Sequence, residues 1–87
     1  MPAKKKVDVK EYNIVEVVWV DAEEKGETGW NDLKSQLRHA KSPPPVMYTV
    51  GYLVHQCESH VSLLSTIGDD GDASTLEKIP AGFIKRM

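Results

Sequence analysis

Residues 46–67 read VMYTVGYLVHQCESHVSLLSTI, and their alternation decides the fold class. Val46, Tyr48, Val50, Tyr52 and Val54 take every second position, interleaved with Met47, Thr49, Gly51, Leu53 and His55. A period of two is that of a β-strand, whose successive side chains point to opposite faces. Gly51 in mid-strand marks a sharp bend or a close backbone approach, as at a barrel corner. Cys57-Glu58-Ser59 is a short connection, and HVSLLSTI returns as a second strand with Val61, Leu63 and Ile67 on one face.

Downstream of this hairpin, GDDGDAS is a glycine-rich acidic loop and STLEKI a short strand. Pro80-Ala81-Gly82 makes a tight turn into a last short strand, Phe83-Ile84-Lys85-Arg86. Upstream, Tyr12–Val20 reads YNIVEVVWV, dense in β-branched and aromatic residues; neither of its faces is cleanly polar, which predicts cover on both sides. Between the two β regions, Thr28 stands where an N-cap belongs, and Trp30, Leu33, Leu37 and Ala40 recur at helical spacing. This predicts one helix over about 28–41, stopped by Ser42-Pro43-Pro44-Pro45. The stripe is expected to pack on the sheet, with Trp19 and Trp30 in the core. The predicted order is strand, helix, then four strands: a mostly β chain with one helix (α+β), forming a small, strongly bent, antiparallel five-stranded sheet or barrel.

The chain has 87 residues, 40% of them hydrophobic and 28% charged, which is the composition of one small globular domain. Residues 1–10 read as a flexible basic tail and 11–87 as the domain. One cysteine, Cys57, leaves no intrachain disulfide and suits a reducing compartment. No apolar run approaches the ~20 residues that span a bilayer, and MPAKKKVDVK has no apolar signal core behind it. The expectation is a cytoplasmic protein without a membrane partner. Cations concentrate in residues 1–10 and 78–87, acids in 11–32 and 68–77, for a net charge of −2. That balance argues against bulk binding to duplex nucleic acid, which needs a basic face.

From Val46 onward, GYLVHQCESHVSLLSTI and IPAGFIKRM resemble the small bent-sheet barrels of the Sm-like and SH3-like group. The first segment matches a strand with a bending glycine, a hairpin and an alternating strand; the second matches a tight turn between two short edge strands. The Sm pattern's hairpin aspartate and asparagine, and its late glycine after a basic residue, are replaced here by Gln56, His60 and Ala81-Gly82. VVWVDAE, GWNDL, TVGYLV and IPAGFIK also resemble short uncharacterised accessory proteins of tailed phages. That resemblance implies an accessory role in the host cytoplasm, including antagonism of host defences.

Few residues carry chemistry. His55, Cys57 and His60 give H-x-C-x-x-H around a hairpin, and zinc takes imidazole and thiolate. No second cysteine exists, so a fourth ligand would have to arrive through folding. The three are read as weak metal candidates beside the plainer alternative of two surface histidines and a half-buried thiol, and neither a metal nor any other cofactor is expected. A Cys–His nucleophile would lack an orienting Asp or Asn. The GDDGD loop fails the calcium pattern, which would need acids at Thr66 and Gly68. Tyr48 and Tyr52 share a strand face and either stack a ring or fill the core.

These observations point to a non-enzymatic binding protein, homo-oligomeric through exposed barrel strands, which sequesters a nucleotide-type ligand or blocks a host protein. Tyr48, Tyr52, Lys78, Lys85 and Arg86 are the candidate ligand-binding residues. The alternatives are a nucleic-acid-binding module of the Sm-like or SH3-like kind, and a small metal-dependent enzyme.

Overall fold

A computed structural model describes residues 6–87; the first half of the expected flexible tail, residues 1–5, lies outside the described residues. The alternating stretches form β1 (Ile14–Val20), β2 (Val46–Gln56), β3 (His60–Leu64), β4 (Leu76–Pro80) and β5 (Ile84–Arg86), and the helical stretch forms α1 (Leu33–Ala40). The strands make one antiparallel sheet in the order β4-β3-β2-β1-β5, which is not closed. One-turn 3-10 helices lie at Val9–Glu11 and Ala81–Phe83. The first is capped by the Asp8 carboxylate, which accepts from the Lys10 N–H, and Val7 N–H donates to the Asp69 carbonyl at 3.0 Å. Residues 7–11 are thus tied down, ahead of the expected domain start.

The sheet must curl. Its edges, β4 and β5, are separated in the order by four strand spacings, about 19 Å if flat. Only Ala81–Phe83 join them, and four residue steps reach about 14 Å even when extended, less in a 3-10 turn. Register shifts between Leu53 and His55 and between Val18 and Trp19 add local twist. Gly51 is the close approach its position suggested: a Cβ there would meet the Leu64 carbonyl oxygen at 3.0 Å and Leu63 Cβ at 3.3 Å.

Curling gathers the core on the inner face. Val17, Val61, Leu63 and Ile79 form one buried cluster, with Val15, Trp19, Leu53 and Ile84 packed around it. Ile79 and Ile84 come from opposite edge strands, which a flat sheet would keep apart. Trp19 is part-buried here, and its indole Nε1–H donates to Thr49 Oγ1 at 2.9 Å.

The helix behaves differently from the expectation. It begins at Leu33, with Asp32 as N-cap accepting from the Ser35 N–H at 2.9 Å. Residues 27–31 form a separate turn, in which the Asn31 side chain accepts from the Glu27 N–H and donates to the Glu27 carbonyl. Gly29 there has φ +101°, a conformation that favours glycine. Asn31 and Asp32 therefore displace Thr28 as the start signal. Glu23 and His39 meet at 2.8 Å, and Gln36 Nε2 donates to the Lys25 carbonyl, so α1 is tied to its own loop.

Trp30 is 103% exposed, and Leu33 and Leu37 are exposed as well. The expected packing of this stripe on the sheet, and the core position of Trp30, do not occur. The reason is topological. β3 pairs only with Tyr52–Gln56, leaving the turn-side half of the β1–β2 ladder to project beyond it. Residues 21–45 are carried on the end of that projection, closed at its base by Asp21 N–H donating to the Pro45 carbonyl at 3.0 Å. The chain accordingly measures 62 × 29 × 18 Å. Among the described residues, no helix is long and apolar enough to cross a membrane.

Candidate functional site

Residues directly opposed in a ladder share a face of the sheet, and the register here assembles an apolar outer face. Ile14 is opposite Tyr52, Tyr52 opposite Leu64, and Leu64 opposite Leu76, one apolar row across four strands. The next rows toward the projecting end are Glu16–Val50, then Arg86–Val18–Tyr48, then Val20–Val46. Val18 is buried in this face, whereas Ile14 (68%), Tyr48 (63%), Val50 (59%) and Leu76 (45%) stay exposed. Tyr52 and Leu64 are half-buried between them, and the exposed Glu16 interrupts the face beside Val50.

The register unites four of the five candidate residues. Tyr48, Tyr52 and Arg86 lie in these rows, and Lys78 follows Leu76 on the same face of β4. Lys78 and Arg86 lie on the two edge strands, β4 and β5. Lys85 falls at the register shift between Ile84 and Arg86, outside the regular pairing, and is exposed. Concavities lined by Thr66, Gly68, Asp70, Asp72, Ala73 and Ser74, and by Glu23, His39, Ala40, Ser42 and Pro44, include none of the five. Ile14, Val50 and Leu76 were missed as site residues, although for Ile14 the lack of a cleanly polar face in Tyr12–Val20 was a trace in the sequence.

The hairpin between β2 and β3 brings His55, Cys57 and His60 together. Cys57 N–H donates to the His60 carbonyl at 3.0 Å, and Ala81 N–H donates to the Ser59 carbonyl at 2.9 Å, so the turn is braced against the β4–β5 connection. The ligating atoms of the three side chains lie within 4.8 Å of one another. Cys57 Sγ is 3.6 Å from His60 Nδ1 and 3.2 Å from Ser59 Oγ, and Ser59 Oγ shares a 2.6 Å hydrogen bond with His60 Nδ1. The rings of His55 and His60 stand 5.4 Å apart. Cys57 is exposed, not half-buried.

The Cys57 thiol is lowered from 9.0 to about 6, first by the Ser59 hydroxyl, then by the backbone of Ser59 and His60, then by the His55 side chain. Each of these favours the thiolate. The sign follows directly: below the lowered value the thiol is protonated and unreactive, above it the thiolate attacks. The iodoacetamide reaction of the metal-free protein is expected to rise through a midpoint near pH 6. Ser59→Ala removes the largest contribution and moves that midpoint upward. Mass spectrometry of timed aliquots reads both; a midpoint near the ordinary thiol value in the unmodified chain contradicts the assignment.

Compared with known protein families, curated proteins and solved structures, the chain matches none.

Proposed function

We propose that the protein is a non-enzymatic binding protein that works as a self-associated assembly and holds an anionic, nucleotide-type ligand at the seam between copies. The single observation that carries this reading is the apolar row Ile14–Tyr52–Leu64–Leu76, exposed at its two ends and half-buried at Tyr52 and Leu64, with exposed Tyr48 and Val50 beside it. The described residues bury only five apolar side chains below the surface, Val17, Val18, Val61, Leu63 and Ile79. A chain of this length has a narrow margin, and a subunit interface is a common source of further burial. Trp30, Leu33 and Leu37, on the projecting segment, are a second exposed apolar group apart from the sheet face.

A two-fold pairing makes one patch serve both partners. Tyr48 and Arg86, in one row with Val18 between them, supply a ring and a cation at the rim of such a seam, the pair of groups that a nucleotide base and phosphate require. With the resemblance to tailed-phage proteins, the reading extends to an accessory or anti-defence factor of a host cytoplasm that sequesters a signal or blocks a host protein.

One observation favours a second reading, a nucleic-acid-binding module of the Sm-like or SH3-like kind: two short edge strands joined by a single tight turn at Ala81–Phe83. Titration with nucleoside phosphates and with a single-stranded RNA oligomer, each at low and high salt, separates the two. Saturable nucleotide binding weakened at least tenfold by Arg86→Ala supports the first reading. Steep salt-dependent RNA binding promotes the second. A protein that binds neither overturns the ligand.

A further inference from the structure

We propose that His55, Cys57 and His60 form a zinc site at the tip of the β2–β3 hairpin, with three protein ligands and a fourth position taken by solvent. In a tetrahedral site with Zn–S near 2.3 Å and Zn–N near 2.0–2.1 Å, a sulfur and a nitrogen ligand stand about 3.6 Å apart. Cys57 Sγ and His60 Nδ1 are 3.6 Å apart. The third ligand is within reach, since no pair among the three ligating atoms exceeds 4.8 Å. His55 closes the remaining gap by rotating its exposed side chain, with no change in the backbone.

The backbone, meanwhile, is already set. The Cys57–His60 and Ala81–Ser59 hydrogen bonds hold the turn from both sides, so binding orders little that is not ordered beforehand. The register shift between Leu53 and His55 sets His55 opposite Ser62, on the strand that His60 begins. One thiolate and two imidazoles are soft to borderline donors that select zinc or cuprous ion over magnesium or calcium. All three ligands come from one hairpin, so none has to be brought from another element. Exposure of Cys57 and His55 provides the entry path.

Ser59 has a definable part. Its hydroxyl contacts both Cys57 Sγ and His60 Nδ1, and so competes for the two atoms that zinc requires. On binding it gives them up and becomes a positioning residue around the sulfur. The site does not depend on self-association or on the nucleotide reading, and it departs from the expectation that the chain holds no metal.

The test is titration of the reduced full chain with cobalt(II), then displacement by zinc. The expected result is a thiolate-to-cobalt charge-transfer band and intense tetrahedral ligand-field bands, saturating at one equivalent and lost when zinc is added. Competition with a chromophoric chelator then gives the zinc affinity, which Cys57→Ser and His60→Ala each lower by about 100-fold or more. Ser59→Ala keeps the site, and His39→Ala leaves the affinity unchanged. Far-UV circular dichroism confirms that the variants fold, and the unmodified chain's spectrum needs no variant at all. Cobalt bands without thiolate charge transfer, an unchanged affinity in Cys57→Ser, or no saturable binding below millimolar metal would each overturn the site.

Discussion

Ile79→Ala lowers the unfolding free energy by about 3 kcal/mol or more, whereas Trp30→Ala, the larger truncation, shifts it by less than about 0.5 kcal/mol at low protein concentration. Ile79 is 1% exposed within the Val17–Val61–Leu63 cluster, and its truncation leaves a cavity among those side chains. Trp30 sits on the projecting segment with its ring in solvent, so nothing is left behind when it goes. A domain of this length has roughly 4–13 kcal/mol in hand, which makes Ile79→Ala a loss of a large part of the total. Denaturant titration measures both changes through the midpoint, with the slope reporting whether the unfolded reference has altered. A cost of 2 kcal/mol or more for Trp30→Ala in dilute solution contradicts the exposed helix stripe.

The second large effect is on assembly. Ile14→Glu leaves the fold of the single chain nearly unchanged, because Ile14 is 68% exposed. Between copies the same change buries an unpaired carboxylate in the apolar row beside Tyr52, and in a two-fold interface it does so twice. An uncompensated charge in such a place costs about 3–5 kcal/mol, so the dissociation constant rises by at least ~100-fold. Light scattering over a dilution series, with circular dichroism beside it, reads the two consequences separately. Loss of fold together with loss of mass would contradict the placement of Ile14 on an outer face.

Much of the sheet was legible in the residues. β2 runs from Val46 to Gln56 as its alternation indicated, because prolines precede it and the period of two holds up to the register shift between Leu53 and His55. The helix was legible in kind but not in extent, since Asn31 and Asp32 lie so close to Thr28 that propensity alone does not rank three capping residues. The exposure of Trp30 was not legible. Helical periodicity tells which side of α1 is apolar; whether anything in the same chain covers that side depends on where β3 stops pairing with β2. For the same reason the five candidate ligand residues could be placed on strands but not on one face. Alternation alone unites Tyr48 with Tyr52, and only the register across β1 and β5 adds Arg86. His55, Cys57 and His60 were visible as a spacing, while their convergence depends on a register shift and a braced turn that no spacing encodes.

Sedimentation of the unmodified chain from micromolar to hundreds of micromolar reads whether a second copy covers the open apolar face. The expected mass is that of two chains or a higher closed multiple of the 9.7 kDa monomer, dissociating on dilution and absent in Ile14→Glu. A single 9.7 kDa species at every concentration would contradict it.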